Sequence, residues 1–159
     1  MERDGTKALR KYVEVSFSNF NTDKMKLIEE IAEVISIWLD NESDAQTIAK
    51  GIKEREALST TGFGNGFAIP HGKIEGLESP ILAVFKLEKE VEWDSLDDEA
   101  ITQLFIILVP VDEAQDTHLA LLSTLSYHLM DEEVQRKINE ITENEEMKRF
   151  IEMIFKKGR

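Results

Sequence analysis

The sequence lacks several features that would point to whole classes of protein. It contains no cysteine, which excludes a disulfide framework, a thiolate metal site and a cysteine nucleophile. Its longest apolar run is the six-residue segment Leu104–Val109, far short of the roughly 18 residues that a membrane-spanning helix needs. No apolar stretch follows the polar N-terminus, so no secretory signal peptide is expected. These absences favour a cytoplasmic protein with no segment inserted into a membrane.

Positive charge is also scarce. Lysine and arginine together number 19 against 32 aspartate and glutamate residues, a net charge of −13. Such a charge repels polyanions, so nucleic acid is not expected as a partner. Neutral or basic protein surfaces are the expected partners instead. Any phosphate chemistry in this chain would therefore depend on a cation placed locally.

Nothing in the sequence indicates a boundary between domains. It has no internal repeat, no low-complexity tract and no linker rich in proline or glycine. Its 159 residues, 42% hydrophobic and 32% charged, are typical of one soluble globular domain and exclude disorder of the whole chain.

The spacing of apolar residues predicts helices at both ends and strands in the middle. From Thr22 apolar residues recur at steps of three and four, as in amphipathic helices, and a second helix should run to about Ala57. Alternation or compact apolar runs predict strands at residues 13–17, 67–69, 81–87 and 104–109. Three more helices are predicted beyond Pro110. This order indicates an α/β fold, a single domain with a mixed β-sheet flanked by helices.

Short polar side chains predict where four of these helices begin. Ser43, with Gln46 three positions later, has the spacing of a capping box. The pair Asp116-Thr117 and the residues Asp131 and Asn144 are predicted N-caps of the last three helices.

The glycines concentrate just before one of only three histidines. Three alternating glycines lie within Thr61–Gly66, and Pro70 and His71 follow. Glycine allows close backbone approach and positive φ, which suits a phosphate-binding or docking surface, and proline stiffens the approach to the histidine. The segment matches neither of the two common nucleotide-binding glycine motifs. By itself it is more typical of a glycine-rich turn beside a partly exposed histidine.

Two further candidates lie at predicted helix ends. His118 is near a helix N-terminus, where free N–H groups bind anions, although an inward-facing helical histidine is more often a packed core residue. Arg55 ends the second helix, where a basic residue commonly complements the helix dipole. His128 is predicted on a helix flank without a role. Two histidines four residues apart, H-E-x-x-H and G-x-S-x-G are all absent, which disfavours a helical zinc site and a serine hydrolase.

A longer pattern joins these candidates. The segment from Arg55 to Gly72, REALSTTGFGNGFAIPHG, closely resembles the active-site signature of enzyme IIA domains of the mannitol/fructose class. These domains belong to the bacterial phosphoenolpyruvate-dependent sugar phosphotransferase system (PTS). Leu104–Pro110, followed by Asp116-Thr117-His118-Leu119, also resembles this family, including its second active-site histidine. The likeness covers about residues 22–155, so we expect one domain over 1–159 with an N-terminal extension over 1–15.

The resemblance implies a phosphocarrier. A phosphoryl group from the histidine protein HPr would pass to Nε2 of His71 and then to an enzyme IIB, with His118 and Arg55 in supporting positions. It also implies phosphate-binding or supporting roles for Thr61, Asn65 and Gly66. No cofactor or metal is expected, because the phosphoryl group arrives already activated on the donor histidine. The chain would be a free-standing carrier that relies on a separate IIB and a membrane IIC for sugar uptake.

Elementary chemistry predicts how such a site would work. The Nδ1–H of a neutral His71 should be held by a backbone carbonyl, expected from the glycine-rich segment, so that Nε2 points outward. The planar guanidinium of Arg55 can bind two phosphoryl oxygens, and His118 can donate a hydrogen bond to the transferring group.

Other functions remain open from the sequence. The nitrogen-related branch of the same family shares the signature, and there the phosphorylation state of His71 would control binding to other proteins. A sensory domain from a larger transcription regulator and a metal-dependent, histidine-based hydrolase are further alternatives.

Overall fold

The computed structural model describes residues 9–112 and 115–158 and contains a six-stranded sheet and five helices in those residues. The elements follow one another as β1 (Arg10–Phe17), α1 (Lys24–Trp38), α2 (Ala45–Glu56), β2 (Gly62–Gly64), β3 (Phe67–Ala68), β4 (His71–Ile74), β5 (Ile81–Val91), β6 (Ile101–Pro110), α3 (Gln115–Leu129), α4 (Glu132–Glu140) and α5 (Asn144–Lys157). The prediction of an α/β single domain with a mixed sheet is confirmed.

The sheet is mixed because its neighbouring strands pair in both directions. Its order is β1-β5-β6-β3-β2, with β1 parallel to β5, β5 antiparallel to β6 and β2 antiparallel to β3. Both β3 and β4 pair in parallel with β6, one after the other, so that Phe67 lies opposite Gln103 and His71 opposite Ile107. Strand pairing is interrupted between them at Pro70, which has no N–H to donate to the neighbouring strand. This break makes His71 the first residue of β4.

The central strands are buried on both faces. Ile81, Ala83 and Phe85 of β5 pack in a core cluster with α1 and α2. Leu82 and Val84, which point to the opposite face, pack with α3, α4 and α5. Burial on both sides explains why this strand appears in the sequence as a continuous apolar run.

The predicted N-cap of α2 is wrong by one residue. The cap is Asp44, whose side chain accepts a hydrogen bond from the N–H of Thr47 at 2.8 Å. The hydroxyl of Ser43 instead donates to the carbonyl of Glu75 at 2.8 Å. A tertiary contact therefore takes the side chain that local spacing assigned to the helix.

Two other cap predictions also need correction, whereas Asp131 is confirmed as the N-cap of α4. Asn144 is the first residue of α5, and its Oδ1 accepts the N–H of Val15 in β1 at 2.8 Å. The pair Asp116-Thr117 lies within α3, which includes Gln115, so neither residue is its N-cap.

The N-terminal region contributes to the sheet. Residues 10–15 of the expected extension lie in β1, which pairs with β5. Arg10 donates two hydrogen bonds to the carboxylate of Glu42, at 2.8 and 2.9 Å. Residues 1–8 lie outside the described residues. Over the described part of the chain, no helix is both long enough and apolar enough to cross a bilayer.

Candidate active site

His71 sits in a fixed and buried position at the break between β3 and β4. Only 6% of the residue is exposed. The carbonyl of Pro70 accepts the N–H of Ile107 at 3.0 Å, which ties the break to β6. The ring Nδ1 of His71 lies 2.9 Å from the carbonyl oxygen of Ile69. Because a carbonyl oxygen only accepts, Nδ1 is the protonated nitrogen of this pair, and Nε2 of the neutral ring keeps its lone pair.

The acceptor of that hydrogen bond differs from the expectation. The glycine-rich segment was predicted to supply the carbonyl, but it forms the β2–β3 hairpin instead. Asn65 and Gly66 are its two turn residues, with φ of 56° and 85°, as a two-residue hairpin of the primed type requires. The Asn-Gly pair is itself the sequence signal for this hairpin. The Ile69 carbonyl takes the role because it follows the hairpin and directly precedes the proline.

A cleft of about 210 Å³ opens beside the imidazole. It is lined by Arg55, Thr61, Phe63, Ile69, His71, Leu122, Ser126 and Met130. The ring of His118 lies against that of His71, with centroids 5.2 Å apart and planes at 50°. Three predicted site residues, Arg55, His71 and His118, are therefore brought together.

Helix α3 presents two neighbouring rows of side chains to the rest of the protein. One row is buried in the core: Leu121, Leu125 and Leu129. The second row begins at His118 and lines the cleft: Leu122, Ser126 and Met130. Both rows advance by four residues and so run side by side, and they lie about 60° apart around the helix because Leu121 comes three residues after His118. Extending the four-residue step from His118 would have found Ser126 and Met130.

Arg55 reaches the site because α2 packs very closely on β4. A Cβ built on Gly72 would lie 2.8 Å from both the carbonyl carbon and oxygen of Gly51. The absence of both side chains lets the helix and strand backbones touch, one helical turn before Arg55. The guanidinium is partly buried and donates from Nη1 to the carbonyl of Ser59 at 2.8 Å.

The site keeps both imidazoles neutral to lower pH than usual. Burial lowers the pKa of His71; the hydrogen bond to Ile69 raises it, the charge of Arg55 lowers it further, and Glu56 raises it. Burial also lowers the pKa of His118, helped by His71, Lys73 and Arg55. Both rings are therefore uncharged at neutral pH, as a nitrogen nucleophile must be.

The three other predicted site residues lie in different places. Thr61 lines the cleft, but its hydroxyl donates to Glu56 at 2.6 Å. Asn65 donates from Nδ2 to Gln135 at 2.9 Å, and the carbonyl of Gly66 accepts two N–H groups of β6. Among the described residues lining the cleft, neither of these two hairpin residues is present. Their assignment to phosphate stays a prediction.

The groups that meet here suit an anionic electrophile. A neutral imidazole with a free Nε2 lies beside a guanidinium and a second imidazole. No three histidine, aspartate or glutamate side chains converge on a metal-binding geometry within residues 9–112 and 115–158. The arrangement can accept a small phosphoryl-sized group on nitrogen and offset its charge.

Comparison with known proteins gives the family. Residues 12–154 match the family model of the phosphoenolpyruvate-dependent sugar phosphotransferase system, EIIA 2. The chain belongs to this family, whose members are phosphotransfer components, and the resemblance inferred from the signature is confirmed.

Individual relatives carry two kinds of name. The nitrogen regulatory protein of Pseudomonas aeruginosa is 41% identical over 115 residues, covering 72% of this chain and 73% of that protein. The fructose-specific EIIA component of Haloferax volcanii is 38% identical over 97 residues, covering 61% and 62%.

Solved structures share the fold. The nitrogen regulatory protein IIA-Ntr of Neisseria meningitidis has a TM-score of 0.78 at 24% identity, over 87% of this chain and 92% of that one. The mannitol IIA of Escherichia coli, in complex with phosphorylated IIB, has a TM-score of 0.63 at 16% identity, over 94% and 95%.

Proposed function

We propose that this chain is a phosphocarrier that holds a phosphoryl group on Nε2 of His71. The observation that carries this proposal is the hydrogen bond from Nδ1 to the carbonyl of Ile69. It reserves Nε2 as the only ring nitrogen with a free lone pair. Burial, which lowers the pKa of His71, keeps that lone pair unprotonated at neutral pH.

Transfer to this nitrogen is a simple displacement. The donor is a phosphohistidine of HPr. The Nε2 lone pair of His71 forms a bond to phosphorus while the N–P bond of the donor breaks, and that electron pair returns to the donor imidazole. Neither the formation of the new N–P bond nor the cleavage of the old one needs the proton on Nδ1. The Nδ1–H therefore remains hydrogen-bonded to the Ile69 carbonyl. The protein's contribution is therefore position and charge.

Arg55 and His118 supply the charge stabilisation. Arg55 presents a permanent cation to the cleft, and its planar fork matches two phosphoryl oxygens. His118 can donate one hydrogen bond to a third oxygen from its place against the His71 ring. These groups matter because the whole molecule, at a net charge of −13, opposes the approach of an anion.

Two destinations for the phosphoryl group follow from the family. Transfer to an enzyme IIB would serve sugar uptake, and the fructose-specific relative and the mannitol complex support that role. Control of other proteins by the phosphorylation state of His71 is the alternative. The nitrogen regulatory names of four relatives with 34–41% identity favour it.

A phosphorylation assay tests the carrier function. The protein is incubated with phosphoenolpyruvate, enzyme I and HPr, and its mass is then measured. We expect a gain of one phosphate that is labile in acid and stable in alkali. His71→Ala should abolish the gain. His128→Ala should retain it, because that histidine contacts the carbonyl of Gly158 outside the cleft. Label on the His71→Ala variant would contradict the proposal.

A second step separates the two destinations. The isolated phosphoprotein is mixed with a purified IIB of the fructose or mannitol class. Rapid loss of phosphate to IIB supports sugar uptake. Retention of phosphate on His71 supports the regulatory role.

A further inference from the structure

A buried carboxylate, that of Glu56, contacts Thr61, one of the residues that line the histidine cleft. Glu56 is the last residue of α2, next to Arg55, and its side chain is 0% exposed. Lys24 forms an ion pair with it, with Nζ 2.8 Å from Oε2. The ammonium group of Lys24 also lies 5.3 Å from the ring centroid of Trp93. A carboxylate held in this way stays charged inside the protein because it is paired.

Both carboxylate oxygens of Glu56 accept hydrogen bonds from Thr61. The N–H of Thr61 donates to Oε2 of Glu56 at 3.0 Å, and the Thr61 hydroxyl donates to Oε1 at 2.6 Å. Hydrogen bonds to an ionised acceptor are stronger than neutral ones. Glu56 therefore fixes both the backbone and the side chain of Thr61.

The contacts continue from Thr61 to the histidine. The carbonyl of Thr61 accepts the N–H of Ile69 at 3.0 Å. The carbonyl of Ile69 is the acceptor for Nδ1 of His71 at 2.9 Å. The same peptide segment thus connects the buried carboxylate to the atom that sets the tautomer of the imidazole.

We propose that Glu56 is a positioning residue for His71, because it anchors the Thr61–Ile69 hydrogen bond that aims Nε2. This inference rests on the proposed function of His71 as phosphoryl acceptor. The charge of Glu56 supports this role: Arg55, which the phosphoryl group needs, lowers the pKa of His71, whereas Glu56 raises it. Glu56 partly offsets the effect of Arg55, and it is not among the described residues that line the cleft.

The decisive variant is Glu56→Gln, which keeps the shape of the side chain and removes its charge. Since Glu56 raises the pKa of His71, the variant should titrate at lower pH, as followed by NMR of the His71 ring. Hydrogen bonds to a neutral amide hold Thr61 less firmly than those to a carboxylate. The rate of phosphorylation by phospho-HPr should therefore fall by roughly ten-fold or more, because misplacement of a reacting atom is costly. The matched control is Glu54→Gln, an exposed position on the same helix, which should change neither quantity.

A double variant separates positioning from stability. Glu56→Gln alone leaves the ammonium of Lys24 without its partner, which can destabilise the fold. Lys24→Gln combined with Glu56→Gln removes both charges, and we expect it to recover thermal stability. The lowered pKa of His71 and the slow phosphorylation should persist. If the pKa of His71 and the phosphorylation rate recover along with stability, the proposal is overturned and Glu56 is only a structural anchor.

The NMR titration also keeps this inference separate from the carrier function. If the native protein takes no phosphate, the proposed function fails, yet the effect of Glu56 on His71 is still measured. If the native protein is phosphorylated but Glu56→Gln matches Glu54→Gln in titration and rate, only the present inference fails.

Discussion

At His71, burial and the hydrogen bond to Ile69 control different properties of the same ring. Burial keeps the imidazole neutral, whereas the bond from Nδ1 decides which nitrogen is free. The sequence predicted the histidine and the need for a carbonyl acceptor. It did not predict which carbonyl, because that depends on how the Asn65-Gly66 hairpin directs the chain toward Pro70. The sequence does not predict a role for Glu56, because nothing in a sequence marks a glutamate as buried.

The pH dependence of the protein should reflect the lowered pKa of His71 and of His118. In the unfolded chain both titrate near about 6.5, but in the folded protein they accept protons only at lower pH. The unfolded state therefore binds more protons in this window, and stability is lost as pH falls from about 6.5 through the folded values. The melting temperature of His71→Gln should fall less steeply over this range than that of the native protein. Identical slopes would contradict the assignment.

Replacing Arg55 by lysine tests the planar guanidinium. Arg55→Lys keeps the charge but loses the fork, so phosphoryl transfer should slow about ten-fold or more, the effect of losing about 1.4 kcal/mol in the transition state. The rate is measured with phospho-HPr as donor. Arg136→Lys is the control, because Arg136 is exposed and pairs with Glu133 and Glu140 on α4. Equal rates in the two variants would reduce Arg55 to a helix-end residue.

His118 can be separated from the core row beside it. His118→Ala should leave the melting temperature nearly unchanged, since the residue is only partly buried. Phosphorylation of His71 should slow by the loss of one hydrogen bond to a charged group, about 1.5–3 kcal/mol. Leu121→Ala, which truncates a side chain 1% exposed, should instead lose about 2–5 kcal/mol of stability. The opposite pattern would place His118 in the core and outside the site.

At the scale of elements, the contact between α2 and β4 positions Arg55 beside His71. Gly72→Ala would place a Cβ 2.8 Å from backbone atoms of Gly51, which cannot move aside as a flexible side chain can. We expect lower thermal stability and slower phosphorylation, because the helix that carries Arg55 must shift. Gly158→Ala, where nothing lies within 4 Å of the added Cβ, should leave the phosphorylation rate unchanged. A native rate in Gly72→Ala would contradict this positioning role.

The helices and strands show where local patterns are sufficient and where they are not. Apolar spacing predicted the buried strands and the helices because burial determines that spacing. Capping by Ser43 and Asn144 was wrong because each side chain bonds to another part of the chain, the Glu75 carbonyl and the Val15 N–H. Such tertiary partners compete with a cap on equal terms, and a sequence window does not contain them.

At the scale of the whole molecule, an acidic protein surrounds a small cationic site. The net charge is −13, yet the charges that lower the pKa of His118 include those of Lys73 and Arg55. The fold class was predictable because the spacing of apolar residues indicates the order of helices and strands along the chain. The sheet order was not, since the pairing of both β3 and β4 with β6 joins distant residues.

The most direct test of this account is to identify the nitrogen that carries phosphorus. The protein is labelled with ¹⁵N at histidine, phosphorylated through enzyme I and HPr, and studied by ¹⁵N and ³¹P NMR. The account predicts one phosphohistidine, with phosphorus coupled to Nε2 of His71 and the proton retained on Nδ1. Phosphorus on Nδ1 of His71, or on His118 or His128, would contradict it.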